Sequence, residues 1–230
     1  MVLRGAVVSV LWGVIAATPV VGQIAAPGPP GPYVIDLRAA TSAVPADAAY
    51  LPPVPTGTRL PSRGYGVEVG AHVYALRLGP SRLGIGVGVL RVRGGASPAS
   101  PSNSTSQPSA SATTPGIDVG LTVIASQLSF NFGSAQGWSY LSAGVGRARV
   151  TSVASSFAGA GSVQVPPGKA NTGMVSSANI GVGARWFAKR RLGVSFDVRA
   201  HMIGSRPAVS TGPSLPHATL MAASVGIAVR

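Results

Sequence analysis

The sequence predicts an all-β protein: an eight-stranded antiparallel up-and-down transmembrane β-barrel with short periplasmic turns and long extracellular loops. Most of the chain alternates between apolar residues and small or polar ones, which is the period of a strand with two unlike faces. The second face carries mainly Gly and Ser, which suits a narrow barrel interior better than a sheet in water, so we expect the apolar face to meet lipid. The predicted connections also alternate between short and long, as they do when all the tight turns lie at one end of a barrel.

Composition supports a membrane-embedded domain. The chain has 230 residues, of which 10% are charged, 46% are hydrophobic and 31 are Gly, and this length suits one barrel domain. No Cys occurs, which excludes disulfides and thiolate metal sites. The 18 Lys and Arg residues outnumber the five Asp and Glu, but the arginines are scattered through apolar strands without a nucleic-acid motif. The charge therefore favours an anionic membrane surface, and no nucleic-acid partner is expected.

The first 22 residues have the features of a secretory signal peptide. Arg4 precedes an apolar run, and Pro19 and the small residue Gly22 lie before Gln23. An uncleaved anchor is the competing interpretation, because the charge-free stretch is long enough to span a membrane. Pro19 and the Pro/Gly spacer at 23–32 favour cleavage. The barrel domain is predicted to cover 33–230.

The period-two pattern defines eight strands in order. They are predicted at 33–39, 64–78, 83–93, 117–132, 138–151, 173–187, 192–203 and 217–230. The short connections are 79–82, 133–137 and 188–191, and the long ones are 40–63, 94–116, 152–172 and 204–216. The long connection 94–116 is rich in Ser, Thr and Pro and is predicted to be disordered. In the fourth strand the apolar phase changes between Val123 and Leu128, which suggests a β-bulge near Ser126.

The clearest hairpin lies between residues 179 and 202. The run Gly181-x-Gly183-x-Arg185-Trp186-Phe187, a basic turn and Leu192-Gly193-Val194 resembles the penultimate hairpin of small bacterial outer-membrane β-barrel proteins of the OmpA-like barrel-domain type. The run Tyr140-Leu141-Ser142-Ala143-Gly144-Val145-Gly146 also resembles a strand of that family, and the resemblance covers 33–230. The chain departs from the family in ending on Arg230 where an aromatic residue is usual.

This resemblance implies a place in the outer membrane of a Gram-negative-type bacterium and no particular activity. Its implied partners are outer-membrane lipid, lipopolysaccharide and, during insertion, the barrel-assembly machinery. We expect a monomer.

Charged residues on the inward face form a predicted polar network in the lumen. Its members are Asp36, Arg38, Glu68, His72, Asp118, Arg185, Asp197 and Arg199. One interpretation is a polar conduit or proton path. The favoured interpretation is a set of ion pairs that fill a lumen too narrow for a channel at eight strands.

The sequence positions of the histidines test whether the chain has the pattern of an enzyme. Some small barrels are lipid-modifying hydrolases, but the His-x-Ser pattern of such deacylases is absent at His201, where Ile203 stands in the serine position. His72, His201 and His217 show no metal-ligand spacing. We therefore predict no catalytic residues, no cofactor and no metal, and a structural, surface-interaction or at most minor permeation role. The alternatives are a lipid A-modifying hydrolase and a secreted soluble β-sandwich or lipocalin-like binder.

Two outward-facing groups are predicted at the membrane boundaries. Arg91 and Arg93, with Arg147 and Arg149, continue the outward phase at the outer ends of two strands, where guanidinium groups would pair with lipopolysaccharide phosphates. The competing interpretation is that these arginines are solvated above the membrane or turned inward by a bulge. A periplasmic aromatic girdle is predicted from Phe130, Phe132, Trp138, Tyr140, Trp186 and Phe187. Tyr65 is the principal aromatic residue expected near the opposite rim.

Overall fold

The computed structural model describes residues 31–54, 58–97, 115–158, 164–207 and 214–230. Eight long strands are present: β1 Tyr33–Ala43, β2 Arg63–Leu78, β3 Ser81–Ala96, β4 Ile117–Ser134, β5 Gly137–Ala154, β9 Val175–Trp186, β10 Leu192–Ile203 and β11 Ala218–Val229. The loops add a 3₁₀ helix, Ala48–Tyr50, and the short strands β6 Phe157–Ala158, β7 Gln164–Val165 and β8 Gly168–Asn171. The predicted signal peptide and most of the spacer lie outside the described residues, as does most of the segment predicted to be disordered. Across the described ranges, no helix is long and apolar enough to cross a membrane.

The eight long strands close into one antiparallel barrel. Each pairs with its neighbours in the order β1, β2, β3, β4, β5, β9, β10, β11, and the pairing of Ile35 with Val229 joins β11 back to β1. Closure leaves no unpaired edge along the barrel, so the backbone polar groups are satisfied within the sheet, as a lipid environment requires. β8 extends the sheet beside the outer end of β5, where Asn171 lies opposite Thr151. The predicted fold class is confirmed.

The tight turns all lie at one end of the barrel. β2–β3, β4–β5 and β9–β10 are joined by short turns, whereas the other four connections are long. Tyr33 at the start of β1 pairs with Val73 of β2, close to the β2–β3 turn. The first residue of β1 and the last residue of β11 therefore lie at the short-turn end of the barrel. That turn contains Gly79 at φ +61°, a left-handed conformation that glycine adopts without steric cost.

The apolar faces of the strands point outward. Ile35 and Leu37 are each 51% exposed on β1, and the same pattern of exposed Val, Ile and Leu continues around the barrel. A soluble β-sandwich or lipocalin-like binder would bury these side chains, so that alternative is wrong. The inward glycines provide space for their larger neighbours: a Cβ on Gly84 would lie 2.7 Å from the ring of Tyr74, and one on Gly86 would lie 2.5 Å from the ring of His72.

The predicted bulge near Ser126 is wrong. Ser126 pairs in continuous register with Val87 of β3 and Val145 of β5, and no residue is skipped along β4. Val123 and the apolar residues before it point inward, because the outer half of the lumen is itself apolar. The change of phase in the sequence therefore reflects a change in what the interior contains. The register shift between long strands lies in β2, between Val73 and Leu76.

The continuous register of β4 also overturns the prediction for Asp118. With Leu128 and Phe130 on the lipid face, strict alternation places Asp118 on the outer face, where it is exposed. It pairs laterally with Gly95 and Val153 at the loop end of the barrel. Asp118 therefore does not belong to the lumen network.

Half of the predicted aromatic girdle lies inside the barrel. Phe130, Phe132 and Trp186 point outward, and Trp186 is 58% exposed, as expected for a girdle. Trp138, Tyr140 and Phe187 are instead buried, so their assignment to the girdle was wrong. Trp138 and Phe187 stack with ring centroids 4.8 Å apart at the base of the lumen, and Tyr74 meets Trp138 edge-on at 6.0 Å. Tyr65 points outward and is exposed near the opposite end of the barrel.

Candidate functional site

The lumen contains an ion pair between opposite walls. The guanidinium of Arg185 on β9 donates from Nε to Asp36 Oδ1 at 3.0 Å and from Nη2 to Asp36 Oδ2 at 2.6 Å. Both side chains are almost fully buried. Arg185 also donates to the Tyr74 hydroxyl at 3.3 Å, and its Cζ lies 4.2 Å from the centre of the Tyr140 ring. This fork-to-fork geometry is the strongest form of an arginine–carboxylate contact.

A second pair lies next to it on β1 and β2. Arg38 donates to Glu68 Oε1 at 3.0 Å, and the other oxygen of Glu68 accepts the Ser224 hydroxyl at 2.6 Å. Arg38 also donates to the Tyr140 hydroxyl at 3.1 Å, and that hydroxyl donates to Asp197 Oδ2 at 2.7 Å. The Tyr140 hydroxyl therefore links the second ion pair to the third.

The third pair lies on a single strand. Arg199 contacts Asp197 two residues away with its Nε and Nη2, at 3.2 and 3.0 Å. Its remaining nitrogen donors reach Asn179 Oδ1 at 2.6 Å and the Ser142 hydroxyl at 2.9 Å. Every charged group in this region thus has a partner of opposite charge, which is the condition for burying charge without a large penalty.

The structure brings seven of the eight predicted lumen residues into this region, with His72 bound to Gln127 through Nε2 at 3.1 Å. The eighth, Asp118, lies outside. Sequence reasoning missed the uncharged members of the network, which are Tyr74, Gln127, Tyr140, Ser142, Asn179 and Ser224. Their inward position in each alternating strand was the signal that could have found them.

An apolar cluster occupies the outer end of the lumen. Its largest member from a loop is Tyr50 of the 3₁₀ helix, which is 1% exposed and packs among inward residues of the barrel such as Ile117 and Val150. The Tyr50 hydroxyl donates to the carbonyl of Pro216 at 2.6 Å, and the Ser152 hydroxyl donates to the carbonyl of Tyr50 at 2.8 Å. Burial raises the pKa of Tyr50, with a smaller contribution from the nearby carboxylate, so the hydroxyl is held as a donor.

Arg230 lies across the periplasmic end. Its Cζ is 4.2 Å from the centre of the Phe187 ring, and its side chain donates to the carbonyl oxygens of Ala135 and Arg190 in two different turns. The lumen therefore has three layers along its axis. An aromatic layer lies next to Arg230 at the periplasmic end, ion pairs form the middle layer, and the outer layer is apolar and is plugged by Tyr50.

Charge is distributed unequally along the barrel axis. Three arginines and three carboxylates balance in the lumen network. The six cationic residues at the short-turn end are Arg77, Arg82, Lys189, Arg190, Arg191 and Arg230. The eight at the loop end are Arg59, Arg63, Arg91, Arg93, Arg147, Arg149, Lys169 and Arg206, together with the acids Asp47 and Asp118. The net positive charge of the described residues therefore resides at the two rims.

The outward arginines form a compact group, which we call the arginine patch: Arg91, Arg93, Arg147 and Arg149, all exposed. Thr122 of β4 pairs on one side with Arg91 and on the other with Arg149. Neighbouring strands are about 4.8 Å apart, so the backbones of these two arginines are about 10 Å apart across a small residue. Gly120 lies between Arg93 and Thr151, and a Cβ there would lie 2.9 Å from Thr151 Oγ1 and 3.9 Å from Arg93 Cγ.

The arginine patch lies at the upper edge of the apolar band. Val89 and Val145, one outward position below it on β3 and β5, are exposed apolar residues of the lipid face. No ion pair joins any of the four arginines to a carboxylate within the described parts of the chain. The patch therefore presents four guanidinium groups without a carboxylate partner among the described residues, next to the outward apolar band.

No catalytic arrangement is present around the histidines of the described residues. His72 bonds to Gln127, and no hydrogen bond joins His72, His201 or His217 to a serine or a carboxylate there. His201 is buried and His217 is exposed in the loop before β11. No group of three or more His, Cys, Asp or Glu side chains in the part of the chain that the structure describes could hold a metal ion.

No family model and no curated protein sequence matches this chain. Among solved structures, the chain is similar to the attachment invasion locus protein Ail of Yersinia pestis in complex with the heparin analogue sucrose octasulfate, at 12% identity and a TM-score of 0.46, covering 86% of this chain and 96% of that one. It is similar to Neisserial surface protein A at 14% identity and a TM-score of 0.47, covering 86% and 97%. It is also similar to the outer membrane protein OprG of Pseudomonas aeruginosa at 9% identity and a TM-score of 0.46, covering 88% and 97%.

The closed barrel, its outward apolar band and the buried polar layer in its lumen are the architecture of proteins that span the outer membrane of Gram-negative-type bacteria. The chain is a small outer-membrane β-barrel protein by fold.

Proposed function

We propose that this protein is a non-enzymatic structural and surface-interaction barrel whose arginine patch binds lipopolysaccharide phosphate groups in the outer leaflet. The observation that carries this proposal is the lateral register of Arg91, Thr122 and Arg149, which sets two arginines without an ion pair among the described residues on either side of a small residue. Arg93 and Arg147 extend the same surface by one outward position in each direction along their strands.

The chemistry of the patch suits a phosphate. A guanidinium offers a planar fork of donors that matches two phosphate oxygens, and the contact strengthens where water is partly excluded. Each arginine of the patch can extend its alkyl stem over the apolar band while the guanidinium remains at head-group height. Val89 and Val145, the outward residues just below the patch on β3 and β5, are apolar and exposed, so the patch is continuous with the lipid-facing surface.

The lumen supports a structural role better than permeation. Three layers of side chains fill it. The ion pairs of the central layer come from four strands, and with the uncharged side chains bonded to them they draw on six of the eight long strands. An eight-stranded barrel has an interior just wide enough for side chains. We expect no stepwise single-channel conductance from the purified protein in planar bilayers, and a steady open level in the wild type would contradict a filled lumen.

The lipopolysaccharide contact is tested by thermal unfolding. The wild type and a variant with Arg91, Arg93, Arg147 and Arg149 all replaced by Ser are refolded in detergent micelles with and without lipopolysaccharide. The wild type should gain several degrees in Tm with lipopolysaccharide, and the variant should lose most of that gain. Dephosphorylated lipopolysaccharide should stabilise neither protein.

The matched control removes four cations from the other end. Arg77, Lys189, Arg190 and Arg191 lie at the short-turn side, and their replacement by Gln should leave the lipopolysaccharide-dependent gain unchanged. Equal gains for the wild type and the arginine-patch variant would refute the proposal. As part of the same proposal, the protein is a monomer that is inserted by the barrel-assembly machinery.

A further inference from the structure

A cleft opens on the extracellular side of the barrel, and its walls come from three separate loops. Its volume is about 580 Å³, and its lining includes Tyr50, Pro52, Lys169, Thr172, Arg206 and Leu215. This volume lies within the usual range for small-molecule sites. Its β8 wall pairs with Thr151 to Val153 of β5, just past Arg149, and no residue of the arginine patch lines the cleft.

Specific contacts hold the three loops together. Arg206 and Leu215 exchange two backbone hydrogen bonds, at 3.0 and 2.8 Å, across the loop before β11. Arg206 Nη1 donates to the carbonyl of Thr172 at 2.7 Å, which joins that loop to the end of β8. β8 in turn packs directly on the loop before β2, because a Cβ on Gly168 would lie 2.8 Å from Pro52 Cβ. The cleft is therefore preformed, which lowers the entropic cost of binding.

The charged groups that line the cleft are both cationic, Lys169 and Arg206. Arg206 Nε is buried and has no hydrogen-bond partner among the described residues, although a buried donor is normally satisfied. Lys169 lines the same cleft and forms no ion pair within those ranges. Asp47, which precedes the lining residue Ala48, accepts the backbone N–H of Ala49 at 2.8 Å and forms no ion pair with either cation.

The remaining walls are apolar. Leu51, Pro52, Pro53, Val54 and Leu215 are among the apolar residues that line it. A site with apolar walls and a few convergent polar groups is the usual form of a small-molecule site. From these observations we infer that the cleft binds a small anion that carries an apolar body, such as an aryl or alkyl sulfonate, carboxylate or phosphate. The anionic head meets Arg206 and Lys169, and the apolar body packs against the proline-rich wall.

The experiment titrates the full-length protein in phosphatidylcholine nanodiscs with naphthalene-1-sulfonate, using calorimetry and subtracting the signal of empty nanodiscs. The neutral naphthalene-1-sulfonamide and inorganic sulfate serve as partial probes that keep only the body or only the charge. We expect saturable binding of the sulfonate and at least tenfold weaker binding of each partial probe, since a charge-assisted contact of this kind is worth about a factor of ten or more.

Variants separate the site from the general positive charge. Lys169→Gln and Arg206→Gln should each weaken binding about tenfold, whereas Arg206→Lys should retain part of it because the charge remains. Arg59→Gln removes an equal charge from the same end of the barrel outside the cleft and should leave binding unchanged. Thermal melting checks that each variant is folded, and Lys169→Gln tests the site even if Arg206→Gln disrupts the loops.

Three outcomes would overturn the inference: no saturable binding of the sulfonate, equal affinity for the neutral sulfonamide, or an unchanged affinity in folded Lys169→Gln and Arg206→Gln proteins. The arginine-patch variant should bind the sulfonate as the wild type does. Failure of lipopolysaccharide binding and failure of this cleft are therefore distinguishable.

Discussion

Arg185 and Asp36 form a doubly hydrogen-bonded ion pair between β9 and β1, although 149 positions separate them in the chain. The pair spans the lumen near the level of Tyr140, whose ring lies under the Arg185 guanidinium. Because both side chains are almost fully buried, neither can replace its partner with bulk water. The pair thus connects opposite walls of the barrel, and its loss should destabilise the whole fold.

Replacing Asp36 with Asn should destabilise the barrel. The amide keeps the shape of the side chain but leaves the Arg185 charge without its closest partner, and breaking a buried pair in this way costs about 3–5 kcal/mol. The free energy of unfolding measured by urea titration in lipid vesicles checks this value. Asp118→Asn, on the exposed outer face, is the matched control and should change stability by less than about 0.5 kcal/mol. Similar effects at the two positions would contradict the description of the lumen.

Gly86→Ala should also destabilise the protein, through crowding. The added Cβ would lie 2.5 Å from the His72 ring, so side chain or backbone must move, and overpacking of this kind costs about 1–3 kcal/mol. Gly70→Ala is the control from the neighbouring strand, since its Cβ would meet its nearest atom, on Arg38, at an ordinary 3.7 Å. Equilibrium unfolding of the two variants should therefore separate them, and a larger loss for Gly70→Ala would refute the packing argument.

Arg230→Gln should weaken the periplasmic end of the barrel. The change removes the contact with the Phe187 ring and the side-chain hydrogen bonds to the carbonyls of Ala135 and Arg190. Because this end is partly open to water, we expect a loss of about 1–2 kcal/mol. Hydrogen exchange of the β4–β5 and β9–β10 turns should accelerate in the variant. Arg191→Gln removes the adjacent charge and should leave both the stability and the exchange rates close to wild type.

The Tyr50 hydroxyl should make the loops sensitive to high pH. Burial raises the pKa of Tyr50 above that of the unfolded chain, so the protonated hydroxyl is favoured in the folded state. Its stabilising contribution is complete below the unfolded pKa and is lost as pH rises through the folded pKa. Tyr50→Phe should be less stable than the wild type at pH 7 by about 1 kcal/mol, through the lost bond to Pro216.

The difference between wild type and Tyr50→Phe should shrink as pH rises above about 10. Thermal melting across this range checks the prediction. A difference that stays constant with pH would show that the hydroxyl does not donate to the Pro216 carbonyl. Comparison with Tyr50→Phe is needed because other tyrosines of the barrel also titrate at high pH.

Much of this architecture follows from the sequence, because lipid outside and side chains inside impose alternation on every strand. The inward phase of Arg38, Glu68 and Asp197 could be predicted from their own strands, and so could the outward phase of Arg91 and Arg149. The positions of the strands follow from the period of two. The end of the barrel at which the tight turns lie follows from the lengths of the connections.

Alternation alone could not show what the interior contains at each height. Val119, Leu121 and Val123 are apolar yet point inward, because loop residues such as Tyr50 plug the outer lumen and need apolar neighbours. A pattern that equates apolar with outward therefore misplaced Asp118 and suggested a bulge that does not exist. The same equation assigned Trp138 to the lipid face, although it stacks on Phe187 at the inner base.

Alternation and connection length are legible in the amino-acid sequence, and they fix which residues lie inside the barrel on most strands and where the chain turns. Which of those residues meet depends on the closed barrel: Asp36 pairs with Arg185 from the opposite wall, and Tyr140 joins two of the three ion pairs through one hydroxyl. The cleft between three loops likewise depends on contacts between residues that are far apart in the sequence. The physical reason is that closure of the barrel sets the stagger of the strands, and stagger is a property of all eight together, whereas alternation is a property of each strand alone.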